Sequence, residues 1–283
     1  MKKIAVSIDS ACDLSKELIE KYDFAIVPFG VTMGDRFFYD GEVPMQEIFD
    51  YADNNKTLPK TNAVNEEAFT ELFDRLLKTH DAVIHFDISS DMSSAYNNAV
   101  NAAKKFKNVY VIDSRTLSTG IALEAIYARK LADEGVSPEE IVKKVTARIP
   151  SVQASFVIER LDYLYKGGRC SSLALLGANL LKIRPEIEVK DGKMGNTNKF
   201  RGRMTDVVEK YCRATLEKYN TPDKSVLFIT HSEAIPEMVE AARKVVGEYG
   251  FENVYETKAG CTVSSHCGKN TLGILYINDG QQE

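Results

Sequence analysis

Long apolar runs are what this sequence most lacks. Its longest stretches free of charged residues, 92 to 103 and 170 to 181, are twelve residues each, against the roughly 18 to 20 that a bilayer-spanning helix needs. No helical segment is expected to cross a membrane. The opening MKKIAVSIDS carries two lysines, but its apolar run stops at Asp9, short of the roughly 7 to 15 residues of a signal-peptide core. It reads as a first strand. Cysteines are few and odd in number, at 12, 170, 212, 261 and 267, too sparse for a disulfide framework. The reducing cytoplasm is the expected location. Gly 17 and Pro 8 lie far below a low-complexity composition, which excludes collagen-like and disordered chains.

The usual signatures of several enzyme classes are missing too. There is no G-x-x-x-x-G-K-[ST], no G-x-G-x-x-G and no H-E-x-x-H, so nucleotide hydrolysis and zinc peptidase chemistry lose their usual warrants. No G-x-S-x-G surrounds a serine, and an α/β-hydrolase would need that nucleophile elbow.

What is present is a globular composition: 44% hydrophobic and 27% charged residues over 283 positions. At roughly 150 residues per domain this length suggests two domains with a sizeable core. The net charge of −5 is uneven. Residues 1 to 150 carry 18 basic and 24 acidic groups, while residues 182 to 203 carry seven basic and three acidic. That basic stretch suits an anionic ligand or partner surface, but no nucleic-acid-reading element accompanies it.

The first half alternates β-rich runs (IAVSI, FAIVPFGV, DAVIHF, NVYVI) with amphipathic segments at 44 to 54, 65 to 79, 93 to 106 and 118 to 134. Such alternation predicts a mainly parallel sheet flanked by helices. SPEE at 137 to 140 starts a helix capped by Ser137, and Pro150 ends it. The domain boundary is placed there, giving 1 to 150 and 151 to 283. The second half predicts helices at 159 to 166, 171 to 182, 204 to 219 and 235 to 249, and strands near 185 to 190, 225 to 230, 253 to 258 and 272 to 277. A hairpin at Asp191-Gly192 makes this second sheet mixed.

Ligands of open α/β sheets sit beyond the carboxyl ends of the strands. Three segments have that address: residues 9 to 13, the serine-rich 89 to 94, and 113 to 116. Ser93 serves either as a helix cap or as a ligand for a carboxylate or phosphate. His80, His85 and His231 fall at the ends or interiors of predicted elements and read as structural. His266 lies in AGCTVSSHCGKNTLG, read as an irregular polar stretch, and suits hydrogen bonding near an anionic ligand. Cys261, His266 and Cys267 match no zinc spacing and lack a fourth ligand, so no metal and no cofactor is expected. In Lys166-Gly167-Gly168-Arg169 the glycines explain a helix end and turn, leaving Arg169 exposed on its tip. The following SSLALLGANLL predicts a buried helix or the wall of an apolar pocket.

Taken together these segments resemble the DegV family. The match runs nearly end to end: Ile8-Asp9-Ser10-Ala11-Cys12-Asp13-Leu14, Val27-Pro28-Phe29, Phe38-Tyr39-Asp40-Gly41, Pro59-Lys60-Thr61-Asn62, the segment from Ile88 to Tyr96, Asp113-Ser114, Leu161 to Arg169, and His266-Cys267-Gly268-Lys269-Asn270. The resemblance implies two α/β domains clasping a long-chain fatty acid in a pocket between them. It implies a carboxylate held by Thr61, Ser93 and His266, with Ser94 beside them. It also implies a carrier rather than an enzyme, presenting its ligand to a separate ATP-dependent fatty acid kinase that makes acyl phosphate. Arg169, Arg201 and Arg203 are the expected docking residues for that kinase, and any membrane contact would be transient and superficial. Ser94 and Ala95 replace a glycine and a hydroxyl residue of the family pattern, Asn62 replaces a serine and Lys269 a proline. Two other readings stand beside the carrier. One is an enzyme or phosphotransfer component acting on a small phosphorylated or carbonyl substrate, by likeness to dihydroxyacetone-kinase substrate domains, with His266 as base or nucleophile. The other is a regulatory partner protein using the basic stretch as its contact surface.

Overall fold

The computed structural model describes residues 3–170 and 183–280. The predicted apolar helix at 171 to 182 lies outside the described residues. The chain runs through β1 (Ile4–Asp9), α1 (Lys16–Lys21), β2 (Phe24–Val27), β3 (Gly30–Met33), β4 (Arg36–Tyr39), α2 (Met45–Asn55), β5 (Lys60–Asn62), α3 (Glu66–Leu77), β6 (Ala82–Asp87), α4 (Ala95–Ala103), β7 (Val109–Asp113), α5 (Thr119–Asp133) and α6 (Pro138–Arg148). It continues with β8 (Val152–Val157), α7 (Leu161–Gly167), β9 (Arg184–Lys190), β10 (Lys193–Phe200), α8 (Met204–Lys218), β11 (Val226–Ser232), α9 (Pro236–Val246), β12 (Asn253–Lys258), α10 (Cys261–Cys267) and β13 (Thr271–Ile277).

These elements make an α/β fold with two principal sheets. The first is wholly parallel, in the order β2-β1-β6-β7. Its inner strands β1 and β6 are buried at every position, which is why they read as continuous apolar runs rather than alternating ones. The second is mixed, β10-β9-β8-β13-β11-β12, with β11 and β12 its parallel pair. Helix α5 packs between the two sheets, touching β1 on one side and β8 and β13 on the other. A single apolar core therefore spans from Phe69 and Phe73 through Ile84 and Ile121 to Phe156 and Ile187. A second core, including Val207, Tyr211, Ile229 and Met238, lies under α8 and α9 on the far face of the mixed sheet.

Local chemistry accounts for the boundaries. Ser137 accepts the Glu140 N–H at 3.3 Å and Pro138 occupies the first turn of α6, an N-terminus the sequence announces. Asp191 and Gly192 both have positive φ, 49° and 82°, the signature of a tight hairpin turn. This turn does more than reverse the chain. The Gly192 carbonyl accepts the Ser89 hydroxyl at 2.7 Å, and a Cβ there would lie 2.5 Å from the Arg115 guanidinium carbon. Glycine thus lets the mixed sheet dock on the loops of the parallel one.

Two expectations are corrected. FAIVPFGV is two strands, not one. Pro28 has no N–H to donate, and Phe29 N–H turns to the Ser10 hydroxyl at 3.0 Å. Strand β2 therefore ends in the parallel sheet, and β3 starts a small antiparallel sheet, β4-β3-β5, that the sequence pattern did not show. The stretch around His266 is helical rather than irregular: α10 runs between Gly260 and Gly268.

Candidate functional site

A cavity of about 230 Å³ lies between the two sheets. Thr61 of β5, Ser93 and Ser94 of the β6–α4 loop, Arg169 after α7, and His266 of α10 line one part of it. Apolar side chains such as Phe29, Met92, Phe156, Met194 and Leu275 line much of the rest. The structure thus brings Thr61, Ser93, Ser94, Arg169 and His266 together from segments far apart in the chain. Arg201 and Arg203 are not in its wall. Arg203 precedes α8 and forms a bidentate pair with Asp206 at 3.0 and 3.1 Å, so its planar donors have a local structural use the sequence reading did not give them. Arg201 is exposed.

Motif carboxylates hold these segments in place. Asp9 accepts N–H groups of Ala11 at 2.9 Å and Ile88 at 2.7 Å, which ties the β1 and β6 loops together. Asp113 accepts the N–H of Ser90 at 3.1 Å and of Arg115 at 3.0 Å. Asp40 accepts the Cys261 N–H at 2.6 Å and the Thr262 N–H at 3.3 Å, supplying the cap of α10 from more than 200 residues away. Asp13 joins the Gly260 N–H, at 2.7 Å, to the Ser118 hydroxyl. Burial pushes the Asp9 and Asp13 carboxyls well above the ordinary range, with the neighbouring carboxylates adding to it. Glu124 is raised in the same way by burial and then by Asp113. The acids of the motifs are therefore scaffold, and the polar groups that line the cavity are mainly hydroxyls, with the imidazoles of His231 and His266 and the Arg169 guanidinium.

His266 Nε2 lies 2.9 Å from Thr61 Oγ1. Its Nδ1 is buried with no hydrogen-bond partner and faces Gly167, where a Cβ would stand 2.5 Å from it. Burial, with Arg169 nearby, lowers its pKa to about 4, so the ring is neutral at pH 7 and has one donor and one acceptor. Ser93 Oγ accepts the Ala95 N–H at 3.1 Å. Ser94 sits at the N-cap of α4 without a side-chain capping bond, leaving its hydroxyl for other uses. The Arg169 guanidinium donates to the Gly167 carbonyl at 2.7 Å.

Beside this end of the cavity is a second cleft, about 460 Å³, that shares Thr61, Arg169 and His266 and adds Lys56, Lys60 and Lys166. Four cations thus surround the approach. All five cysteines are buried, and Cys261 and Cys267 have thiols pushed up by burial to about 11 and about 12. Among the described residues no group of three or more His, Cys, Asp or Glu could hold a metal, and no helix is long and apolar enough to cross a membrane.

Sequence reasoning singled out Thr61, Ser93, Ser94, Arg169 and His266, but missed other wall residues, among them His231, and missed what holds the wall in place. Asp40 stood in a quoted motif without a role, and Gly167 was explained as a turn residue, although it is its missing side chain that makes room for His266. Thr262, also in the cavity wall, carried no signal except its spacing of four from His266.

An apolar cavity between two α/β layers, with hydrogen-bonding groups and a cation in part of its wall, is a pocket suited to a small molecule with an apolar body and a polar end. The comparisons agree on the lineage. The chain belongs to the DegV family: the family model described as "Uncharacterised protein, DegV family" matches residues 3–279. A DegV domain-containing protein of Clostridium acetobutylicum is 31% identical over 98% of this chain and 99% of its own length. The solved structure of a stearic-acid-binding protein from Eubacterium ventriosum is 28% identical, with a TM-score of 0.85 over 98% of each chain. A Thermotoga maritima protein whose structure is described as revealing fatty acid binding function is also 28% identical, with a TM-score of 0.84 over 98% of this chain and 100% of its own.

Proposed function

We propose that this protein binds a long-chain fatty acid, with the acyl chain in the inter-sheet cavity and the carboxylate against Thr61, Ser93 and His266, Ser94 beside them. The observation that carries this reading is the Thr61–His266 pair at the end of an apolar cavity, 2.9 Å apart and close to Arg169. If Nε2–H donates to Thr61 Oγ1, the threonine proton is free for a carboxylate, and Arg169 supplies the opposing charge. The fatty acids bound by the Eubacterium and Thermotoga relatives support the same ligand class. At about 0.8 kcal/mol per buried CH₂, a sixteen-carbon acid offers roughly 11 kcal/mol before the costs of association, enough for micromolar or tighter binding.

The carrier reading extends to a separate ATP-dependent kinase that phosphorylates the presented carboxylate. The cleft of Lys56, Lys60, Lys166 and Arg169 next to Thr61 and His266 favours it, because it leaves the head-group end approachable and attractive to phosphate-bearing groups. In this reading Arg169 faces both the ligand and the partner, with Arg201 and Arg203 further contacts on the kinase side. An enzyme using His266 as base is less well served: a base acting on Thr61 needs a third group to orient it, and Nδ1 has none.

Delipidated protein titrated with stearate or palmitate tests the ligand. Micromolar or tighter one-to-one binding is expected, and Ser93→Ala is expected to lose about 1.5 to 3 kcal/mol of it by removing one charge-assisted hydrogen bond. No heat and no protection from thermal unfolding at tens of micromolar ligand would eliminate the fatty-acid reading. Gly167→Ala probes the His266 seat separately. The added methyl meets Nδ1, so the ring must leave Thr61. Binding is expected to weaken about tenfold or more, on the scale of one charge-assisted hydrogen bond. Affinity equal to the parent protein would mean that His266 does not hold the head group.

A further inference from the structure

One hydroxyl in the cavity wall has nothing to bond. Thr262 lines the cavity and is 5% exposed, yet its Oγ1 meets no hydrogen-bond partner. Thr262 and His266 are four apart on α10, so both side chains leave the same face of the helix. A buried hydroxyl left unpaired is costly, and an all-methylene chain gives it nothing.

It does not stand alone. Ser118, Thr230 and Ser232 line the same cavity, and each is engaged from behind. Ser118 donates to Asp13, whose other oxygen holds the N–H of Gly260 at the start of α10. Ser232 donates to Ser264 at 2.8 Å. Thr230 lies between Thr119 at 2.7 Å and Thr257 at 2.9 Å. Ser118 and Ser232 thus have their protons already spent, and Ser232 also meets the Cys267 thiol, while Thr262 keeps both its proton and its lone pairs. Ser118 moreover holds a positive φ of 54°, a strained arrangement for a non-glycine residue. A methylene-only ligand leaves the Thr262 hydroxyl without a partner.

The geometry points to a second polar subsite, built on Thr262 with Ser118 and Ser232, that accepts a hydroxyl group carried on the acyl chain of the ligand. This rests on the fatty-acid reading of the cavity and adds a substrate class to it: hydroxylated long-chain acids. A ligand hydroxyl both donates and accepts, so it can take the Thr262 proton and give its own to Ser118. One helical turn separates Thr262 from His266, roughly 6 Å along the axis, which corresponds to about four to five carbons of an extended chain. For a chain that runs along α10 from His266 past Thr262, the favoured substituent is near carbon 5, counted from the carboxyl. A site built to hydrogen-bond a substrate hydroxyl also discriminates against the analogue that lacks it.

Calorimetric titration of delipidated protein with palmitate and with palmitates hydroxylated at carbon 3, 5, 7, 12 or 16 tests this. The expected result is a maximum near carbon 5, at least tenfold tighter than the carbon-16 isomer. Thr262→Val, nearly the same shape, is expected to lower the ratio of 5-hydroxypalmitate to palmitate affinity at least tenfold, and Thr262→Ser to restore most of it. Palmitate binding with no preference for hydroxyl position, or a ratio unmoved by Thr262→Val, would overturn the subsite while leaving the fatty-acid reading intact. Failure of palmitate and every isomer to bind would overturn both. Should Thr262→Val not fold, the ranking of isomers on the parent protein decides.

Discussion

Replacing Arg148 with methionine is expected to cost the ligand-free protein about 3 to 5 kcal/mol of stability, the loss seen when one partner of a buried ion pair is removed. Arg148 ends α6 and is 6% exposed. Its Nη2 donates to Asp223 at 2.7 Å and to Asp279 at 3.1 Å, and its Nε donates to Asp279 at 2.6 Å. The guanidinium also stacks 4.4 Å above the Tyr127 ring. One side chain therefore binds the last helix before the mixed sheet to two segments beside the end of β13. Removing it takes the guanidinium away from two carboxylates in a confined site, and that penalty, rather than the attraction itself, sets the size of the effect. Urea unfolding at pH 7 reads it as a lower midpoint at unchanged slope. A loss under about 1 kcal/mol, the range of exposed pairs, would show that water already screens the cluster. Adding Asp223→Asn and Asp279→Asn to Arg148→Met is expected to recover part of the loss, because the two carboxylate charges go with the arginine. The protein must be delipidated, since a ligand bound only by the folded state would mask the difference.

The strands and helices of this fold are legible because they obey local rules. The buried strands β1 and β6 are unbroken apolar runs, α3 places Phe69, Leu72 and Phe73 on one face, and α6 carries its own cap. The hairpin was legible because Asp191 and Gly192 suit the positive φ values the turn requires. What escaped the local pattern is held from far away. Helix α10 has no side-chain cap of its own. Its first N–H groups are taken by Asp40 and Asp13, which lie in motifs near the other end of the chain. No window of sequence around His266 contains that information, so SSHC reads as loop. The split of FAIVPFGV is a similar case: Pro28 cannot donate to a strand ladder, but only the tertiary bond from Phe29 to Ser10 fixes where the chain goes next. Resemblance supplied Thr61, Ser93 and His266 as a set, while the reason they meet lies in those scaffolding carboxylates. Arg169 shows the opposite limit. Its place on a turn was readable, but its position at the mouth of the cavity follows from where α7 meets α10.

Between pH 6.5 and 4 the buried imidazole of His266 is expected to take about 3 kcal/mol of stability from the ligand-free protein. Its ordinary pKa is 6.5, and burial first, then the Arg169 charge, lowers it to about 4 in the fold. In that interval the unfolded chain binds a proton the folded protein refuses, so stability falls as pH falls. The loss begins below 6.5 and is complete below about 4, and each pH unit between them is worth about 1.4 kcal/mol. Asp9, Asp13 and Glu124 act in the opposite sense, because burial raises their folded pKa values and their protonation favours the fold as pH drops. The measurement is therefore a difference: denaturant unfolding of the parent protein and of His266→Gln at about pH 7, 6, 5 and 4.5, spanning the window that linkage sets. The glutamine keeps a polar partner for Thr61 but cannot titrate, so the parent curve should fall below that of the variant steadily with acid. Parallel curves would show that the ring is charged or solvated in the folded protein. A bound fatty acid sharpens the test, because a carboxylate beside the ring favours the imidazolium. With saturating ligand the parent protein should lose less stability across the same window than without it, and that recovery should vanish in His266→Gln. A recovery of equal size in both proteins would place the carboxylate away from His266, whatever the affinity of the ligand.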